Sequence, residues 1–274
     1  EILEERKLPI DNLYLFASAR SKGTVVTFND KKLEVIELTP DVFKAYPIDV
    51  LFFGAGGYIY ETYIPLALKD NIKVIDNRSY FRMDDNVPLV VPEINGDLIN
   101  AEVPLVANPN CSTTQAVLPL KVIDDLFKIK RVVYTTFQAV SGAGVKGIED
   151  LETGTPKQFR KKISKNVIPE IDVFMPDGYT KEEHKLIEET KKILNRDDLR
   201  VSATAVRAPI KNTHAISVNV ECERPINLGL LKIKFNKTDG IHYVEAPDYP
   251  VAEEVDGLVD VFVGRLRLDP SVEH

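Results

Sequence analysis

The strongest constraint on the fold is the alternation of short apolar strands with turns and helical segments in the first half of the chain. Buried-strand patterns at Asn12–Ala17, Val50–Phe53 and Val103–Ala107 each end in a polar or glycine-rich turn. A helical pattern over Glu61–Lys69 separates the second of these strands from the next one, Val74–Asp76. Such alternation is typical of a parallel, doubly wound sheet. We therefore predict an α/β, Rossmann-like first domain.

The second half of the chain has long strand patterns with few helices between them. We predict one amphipathic helix over Lys181–Leu194. The predicted strands are Arg131–Ala139, Arg200–Arg207, Ala215–Glu223, Leu230–Phe235 and Val259–Leu268. This pattern predicts an α+β domain built on a mixed sheet. We place the boundary near residue 110, which gives a dinucleotide-binding domain over 1–110 and a second domain over 111–274.

Composition and charge limit the functional classes. The chain of 274 residues has a formal net charge of -7 and no long basic face, which argues against nucleic-acid binding. No apolar run reaches the roughly 18–20 residues that a membrane-spanning helix needs. The two cysteines, Cys111 and Cys222, lack metal-ligand spacing. We therefore predict no metal site and a reducing, cytoplasmic setting.

Cys111 is the first candidate for chemistry, because it follows the strand Val103–Ala107 and a polar turn and opens a helical pattern that runs to about Phe127. Backbone N–H groups at a helix N-terminus favour negative charge, so we predict a lowered thiol pKa and a nucleophilic thiolate. A lone cysteine is more often a small buried apolar residue, but this placement favours the nucleophile. Cys222 alternates within a strand and is interpreted as structural.

His214 and Arg207 are candidate partners for this thiol. His214 lies in a polar turn between two predicted strands, and it is the best of the four histidines for general acid/base chemistry. A histidine in a turn is as often simply solvated. Arg207 ends the preceding strand and suits a bidentate contact with a carboxylate, the alternative being a surface salt bridge.

The signal for a cofactor is partial. Ser18-Ala19-Arg20-Ser21 follows the first strand, where an NAD site has Asp or Glu for the ribose hydroxyls. Arginine and hydroxyl groups suit a 2′-phosphate instead, so we predict NADP; the alternative is an ordinary polar turn. Gly54-Ala55-Gly56-Gly57 after a buried strand permits close backbone approach to a ligand.

Together these motifs resemble the aspartate-semialdehyde dehydrogenase family over essentially the whole chain. The most specific stretch is Asn108-Pro109-Asn110-Cys111-Ser112-Thr113. The other matching segments, in the order of the family, are Ser18–Ser21, Val74–Asn77, Phe81–Asp84, Val90–Asn95, Gln138–Gly144, Asn166–Pro169 and Gly178–Glu183.

The resemblance implies a fold like that of glyceraldehyde-3-phosphate dehydrogenase, in which the second domain is catalytic and dimerising. It implies NADPH-dependent reduction of L-aspartyl 4-phosphate to L-aspartate 4-semialdehyde, with release of phosphate, through a cysteine thioester. This step feeds the synthesis of lysine, diaminopimelate, threonine, methionine and isoleucine. Members are homodimers or tetramers, so we expect small-molecule substrates and further copies of the chain as partners, and neither nucleic acid nor membrane.

The resemblance also implies roles for single residues. The expected catalytic residues are the nucleophile Cys111, the acid/base His214 and the acyl-orienting Gln138. The expected substrate contacts are Arg207 for the carboxylate, Glu183 for the amino group, and Arg82, Asn110 and Lys185 for the phosphate. The expected cofactor contacts are Ser18, Arg20, Ser21, Ala55, Gly56, Ser141 and Gly142.

Two alternatives remain open at this level. A reductase for N-acetylglutamyl phosphate shares the fold and a cysteine, but its usual Gly-Cys-Tyr-Pro-Thr context is not found at Cys111. A truncated, non-catalytic protein that dimerises or binds phosphate ligands is the other, since both ends of the chain are interpreted as cut. On that interpretation the first strand and its glycine-rich turn precede residue 1, and a closing helix follows residue 274.

Overall fold

The computed structural model describes residues 2–55 and 59–273. The chain divides into two compact units. The first comprises Glu1–Arg78 and Ala101–Val106, and the second comprises Ser79–Asn100 and Ala107–His274. The domain boundary that we place near residue 110 stays a prediction.

The first unit contains two small sheets. One has strands β1 (Leu15–Ala17), β2 (Val25–Phe28) and β3 (Lys31–Glu37); β3 pairs parallel with β1 and antiparallel with β2. The other has the order β4, β5, β6, with β4 and β5 parallel. Its strands are β4 (Val50–Phe53), β5 (Lys73–Asp76) and β6 (Leu105–Ala107), and the last residue of β6 already belongs to the second unit.

The helices of the first unit are short except for α3. They are α1 (Ile2–Glu5), α2 (Val42–Ala45) and α3 (Ile59–Lys69), with a 3-10 turn at Ala19–Ser21. The helix predicted over Glu61–Lys69 is confirmed within α3. Ile64 and Ala67 are three residues apart and fully buried, so they lie on one face of the helix and anchor it to the unit.

The second unit is built on a mixed three-stranded sheet. Its central strand β7 (Ile129–Gln138) pairs parallel with β8 (Arg200–Arg207) and antiparallel with β9 (Ala215–Cys222). Alternate residues of β7, such as Val132 and Tyr134, are fully buried, as expected for a sheet with one covered face. The mixed sheet predicted from the sequence is therefore confirmed, and with it the α/β plus α+β fold class.

Helices α5 (Cys111–Phe127) and α7 (Lys181–Leu194) cover the buried face of this sheet, and Leu120, Tyr134 and Leu186 meet in the shared core. Cys222 is fully buried in the same core, in keeping with a structural role. The remaining elements of the unit, with these two, are α4 (Pro92–Asn95), α5 (Cys111–Phe127), α6 (Val145–Thr153), α7 (Lys181–Leu194), α8 (Leu228–Phe235), β10 (Ile241–Tyr243), β11 (Val261–Val263) and 3-10 turns at Gly96–Leu98 and Val140–Ala143. In the described part of the chain, none of the helices has the length and apolar character needed to cross a bilayer.

Two predicted strands differ from the structure. Leu230–Phe235 lies in the helix α8, because the Asn227 side chain accepts a hydrogen bond from the Leu230 N–H and caps the helix, while Leu231 and Phe235 are buried four residues apart. The strand predicted over Val259–Leu268 is only three residues long, β11, and it pairs with β10. The left-handed backbone of Arg265, at φ 61°, breaks the extended run.

Candidate active site

The start of α5 is fixed by the residue before the candidate nucleophile. The Asn110 Oδ1 accepts hydrogen bonds from the N–H groups of Ser112, at 2.9 Å, and Thr113, at 3.3 Å. These N–H groups belong to the first turn, where the helix itself offers them no acceptor. The buried side chain of Asn110 therefore sets the helix N-terminus, and Cys111 stands exposed at its first position.

Cys111 and His214 are in direct contact, with Sγ and Nε2 3.2 Å apart. The His214 Nδ1 accepts a hydrogen bond from the Ala139 N–H at 3.0 Å. A neutral imidazole has one donor and one acceptor nitrogen, so this contact assigns the proton to Nε2, facing the sulfur. Gln115, one turn after Cys111 on α5, donates from Nε2 to the His214 carbonyl at 2.9 Å. The ring and the backbone of His214 are thus both held in place.

The electrostatics of this pair favour neutral groups. Burial and, to a smaller extent, the charge of Arg207 together lower the pKa of His214 to about 4, against the opposing effect of Glu182. Burial also raises the pKa of the Cys111 thiol, although the residue is reachable from solvent, and the Glu182 carboxylate adds to the rise. The Ser112 N–H lowers the thiol pKa, as expected at a helix N-terminus, but this effect is outweighed. The lowered thiol pKa predicted from the sequence is therefore wrong for the site as the structure has it.

Glu182, in the first turn of α7, is the carboxylate that joins the polar groups of the site. Its Oε1 accepts hydrogen bonds from Asn110 Nδ2 at 2.9 Å and from Gln138 Nε2 at 3.1 Å. Its Oε2 accepts from Lys185 Nζ at 3.1 Å, and Lys185 also donates to Asp172 at 2.9 Å. Burial would lower the pKa of Lys185, but the two carboxylates outweigh it and raise that pKa. Glu182 thus brings together Asn110, Gln138 and Lys185, three of the predicted site residues, although Glu182 itself was not among those predictions.

Glu183 does not face this cluster, which corrects the prediction that it contacts a substrate amino group. Its Oε2 accepts from the Thr180 N–H at 2.6 Å, and the Thr180 hydroxyl oxygen accepts from the Glu183 N–H at 3.3 Å. This reciprocal pair is a capping box for α7. The Oε1 of Glu183 accepts from the Ala205 N–H in β8 at 2.8 Å. Both carboxylate oxygens are therefore bound to backbone.

Arg207 lies at the end of β8, in register with Gln138 at the end of β7. Its Nη1 donates to the Ala139 carbonyl at 2.6 Å, and its buried Nε has no hydrogen-bond partner among the described residues. Gly142 leaves room for this side chain, since a Cβ at that position would lie 3.2 Å from Arg207 Nη1. Ser141 lies in the same 3-10 turn, and its N–H donates to the Lys211 carbonyl at 3.1 Å. This places the turn beside the segment that carries His214.

Arg82 is buried and paired through Nη1 with Glu189 Oε1 at 2.9 Å. Its own carbonyl accepts from Lys192 Nζ at 2.8 Å. The same ammonium binds the carbonyls of Asp84, at 2.7 Å, and Val87, at 3.0 Å. The loop that carries Arg82 is therefore fastened to α7 at its backbone and at its guanidinium group.

The predicted cofactor contacts of the first unit lie at the ends of two of its strands. Ser18, Arg20 and Ser21 share one turn after β1, and the Ser21 N–H donates to the Ser18 carbonyl at 2.8 Å. Ser18 and Arg20 are exposed. Ala55 follows β4, and Gly56 lies outside the described residues.

Three site residues were missed from the sequence, namely Gln115, Glu182 and Glu189. A spacing signal was available for each of them. Charged residues at 182, 185, 189 and 192 repeat at intervals of three and four, so they share one face of α7. A helix that buries acidic groups on one face indicates ion pairing rather than solvation. Gln115 follows Cys111 by four residues and therefore lies on the same face of α5.

Comparisons with known proteins agree with the resemblance. The family model described as semialdehyde dehydrogenase, NAD binding domain, matches residues 1–102, and that described as semialdehyde dehydrogenase, dimerisation domain, matches residues 120–274. The aspartate-semialdehyde dehydrogenase of Aquifex aeolicus is 43% identical over 290 residues, covering 100% of this chain and 85% of that protein.

Solved structures of a second relative give the same result. The crystal structure of aspartate semialdehyde dehydrogenase II from Vibrio cholerae has a TM-score of 0.94 at 39% identity, covering 99% of this chain and 84% of that chain. A structure of the Vibrio cholerae enzyme complexed with ASA has a TM-score of 0.93 at 38% identity, with the same coverage of both chains.

Proposed function

Because the chain belongs to the aspartate-semialdehyde dehydrogenase family, we propose that Cys111 and His214 carry its reaction. This membership decides between the two reductase families considered from the sequence. The protein is an oxidoreductase of amino-acid biosynthesis, and its reaction is the reductive dephosphorylation of aspartyl phosphate to aspartate semialdehyde. The observation that carries the residue assignment is the 3.2 Å contact between Cys111 Sγ and His214 Nε2 at the start of α5.

The substrate is held by charged groups around this contact. The Arg207 guanidinium, whose buried Nε lacks a partner in the described structure, binds the substrate α-carboxylate. Glu182, rather than Glu183, binds the α-ammonium group, because its carboxylate lies in the cluster. Arg82, Asn110 and Lys185 bind the phosphate group. The ammonium group neutralises Glu182, which removes one of the charges that raise the thiol pKa. Binding of the substrate thereby favours the thiolate.

The chemistry follows from the groups that face the sulfur. The thiolate attacks the acyl carbonyl, a C–S bond forms, and the C–O bond to the departing phosphate breaks. Arg82 and Lys185 stabilise the charge that develops on that phosphate. His214 donates its Nε2 proton as a hydrogen bond to the sulfur, both before attack and when the thiolate leaves at the end of the reaction. In this proposal the exposed Cys111 thiol loses its proton to solvent, and His214 holds the resulting thiolate rather than removing the proton itself.

We propose NADP as the cofactor; the family model supports a nicotinamide dinucleotide in general. The turn after β1 fits a 2′-phosphate, since Arg20 is exposed there beside Ser18 and Ser21, and the turn contains no acidic residue. Ala55 and Gly56, and Ser141 and Gly142 in the second unit, are the other proposed contacts. When bound, NADPH supplies the hydride that reduces the thioester carbonyl.

We propose a homodimer or tetramer that pairs through the second unit, supported by the match to a dimerisation domain over residues 120–274. Light scattering of the purified chain distinguishes these two states from a monomer. A monomer at assay concentration, with full activity, would remove this part of the proposal.

The test of the proposed function is phosphate-dependent reduction of NADP with aspartate semialdehyde. We expect activity in the wild type and a loss of at least about a thousandfold in Cys111→Ser. Arg20→Ala should raise the KM for NADP about tenfold and leave that for NAD unchanged, since only NADP has the 2′-phosphate. Equal activity of Cys111→Ser and wild type would refute the assignment of the nucleophile.

A further inference from the structure

Glu189 is a buried carboxylate in the middle of α7 to which neither the sequence motifs nor the proposed reaction gives a task. Only 1% of the residue is exposed. Its two oxygens bind donors from separate segments of the chain. Oε1 accepts from Arg82 Nη1 at 2.9 Å, and Oε2 accepts from the Asn110 backbone N–H at 2.7 Å. The Glu189 carboxylate therefore contacts two segments of the site. One carries Arg82, and the other carries Asn110 and the proposed nucleophile Cys111.

Burying a carboxylate in this way costs free energy, which suggests that its contacts serve a purpose beyond packing. A carboxylate taken out of water needs both an opposite charge and hydrogen bonds to be tolerated. Burial raises the pKa of Glu189, while Arg82 and the Asn110 N–H lower it. Elsewhere α7 turns apolar residues such as Leu186 and Ile193 toward the interior. If this position served only to fill the core, an apolar residue such as leucine or isoleucine would be sufficient.

The contacts of Arg82 fix the orientation of its guanidinium group. Its Nη1 is bound to Glu189, and its carbonyl is bound at 2.8 Å by Lys192, which lies nearly one turn further along α7. A guanidinium group held at its backbone and at one nitrogen has a defined direction for its remaining N–H groups. Asn110 is held in the same way, by Glu189 at its N–H and by Glu182 at its side chain.

We infer that Glu189 is a positioning residue for the phosphate subsite, which fixes the guanidinium of Arg82 and the backbone of Asn110 in one geometry. It touches neither the substrate nor the reacting atoms, and it acts through Arg82 and Asn110. This inference rests on the proposed function, because the phosphate roles of both residues belong to that proposal.

The test is a comparison of Michaelis constants for the two substrates of the reverse reaction, inorganic phosphate and aspartate semialdehyde. Glu189→Gln keeps the size of the side chain but removes its charge. The amide NH2 replaces one of the two carboxylate oxygens, so a donor then faces the Arg82 guanidinium or the Asn110 N–H. We expect the KM for phosphate to rise at least about tenfold, and that for aspartate semialdehyde to stay within about twofold. In an Arg82→Gln background, Glu189→Gln should raise the phosphate KM less than it does in the wild type, because Arg82, one of the two groups it positions, is gone and only the effect through Asn110 remains.

Glu188→Gln is the matched control, since Glu188 neighbours Glu189 on α7 but is half-exposed and has only a long contact, 3.5 Å, to Lys191. Both KM values of Glu188→Gln should equal those of the wild type. Equal changes in both KM values, an unchanged phosphate KM, or additivity in the Arg82→Gln background overturns the inference. If Glu189→Gln does not fold, Glu189→Asp is measured in the same way. It keeps the charge, and failure of both variants to fold shows a purely structural role and overturns the inference as well. A wild type without phosphate-dependent activity refutes the proposed function instead.

Discussion

Two helices of the second unit, α5 and α7, begin within hydrogen-bonding distance of each other and use their first turns differently. At the start of α5 the cap is a single amide, Asn110, and the next residue, Cys111, is left exposed. At the start of α7 the cap is the reciprocal pair of Thr180 and Glu183. Because that pair satisfies the backbone, the neighbouring Glu182 is available to the site, where it meets Asn110 at 2.9 Å.

The comparison shows that adjacent carboxylates can have unrelated tasks. Glu182 binds side chains of the site, whereas Glu183 binds only backbone N–H groups of Thr180 and Ala205. A helix rotates by about 100° per residue, so neighbours on a helix face different surroundings. Two adjacent residues of α7 therefore differ in role: Glu182 belongs to the site, and Glu183 stabilises the fold.

After the loss expected for Cys111→Ser, the strongest effect should come from removing the charge of the site carboxylate Glu182. Glu182→Gln should lower kcat/KM for aspartate semialdehyde about a hundredfold, because the substrate ammonium loses its buried partner. Steady-state kinetics on the purified variant measure this. Activity equal to that of the wild type would show that Glu182 does not contact the substrate.

A smaller effect is expected when the hydrogen-bond donor to the sulfur is changed. His214→Gln keeps an N–H donor and should lose about tenfold in kcat, whereas His214→Ala should lose more. With the His214 pKa at about 4 the imidazole is neutral throughout the range of assay. With the thiol pKa raised, the active thiolate becomes more abundant as pH rises.

The wild-type pH profile of kcat/KM should therefore increase toward alkaline pH with no step near the ordinary histidine pKa, and His214→Gln should keep that shape. A wild-type step near pH 6.5 that is lost in His214→Gln would show that His214 acts as the base.

The smallest effect is expected for the capping residue. Glu183→Gln should lower the free energy of unfolding by about 1–2 kcal/mol, because it weakens the capping box and the bond to Ala205. Its kcat/KM should stay within about twofold of the wild type. Denaturant unfolding and kinetics on the same preparation measure both. A large kinetic loss without a loss of stability would reverse the roles of Glu182 and Glu183.

Much of this arrangement follows from local sequence. The strand–turn–helix around Cys111 was predictable because Asn110 is a strong helix cap and β6 ends just before it. The boundaries of α7 were predictable from its apolar spacing and from Thr180 and Glu183 at its start. The strand pattern of β7, β8 and β9 follows from alternation, so the mixed sheet was accessible as well.

Other features depend on long-range packing. The thiol pKa was predicted with the wrong sign, because the helix-terminus effect is local, whereas burial and the Glu182 charge arise only when α7 packs beside α5. The helix over Leu230–Phe235 was predicted as a strand because its residues are apolar with little periodicity, and the Asn227 cap was not weighed. Glu182 and Glu183 cannot be separated by type or exposure, only by the direction in which each side chain leaves the helix.

In the proposed reaction the sulfur of the exposed residue at the start of α5, Cys111, takes the acyl group. The direct measurement is intact-protein and peptide mass spectrometry after mixing the full chain with aspartyl phosphate in the absence of reduced cofactor. We expect a gain of one aspartyl group at Cys111, with one phosphate released per chain and no adduct in Cys111→Ala. An adduct on another residue, or phosphate release without any adduct at Cys111, would contradict it.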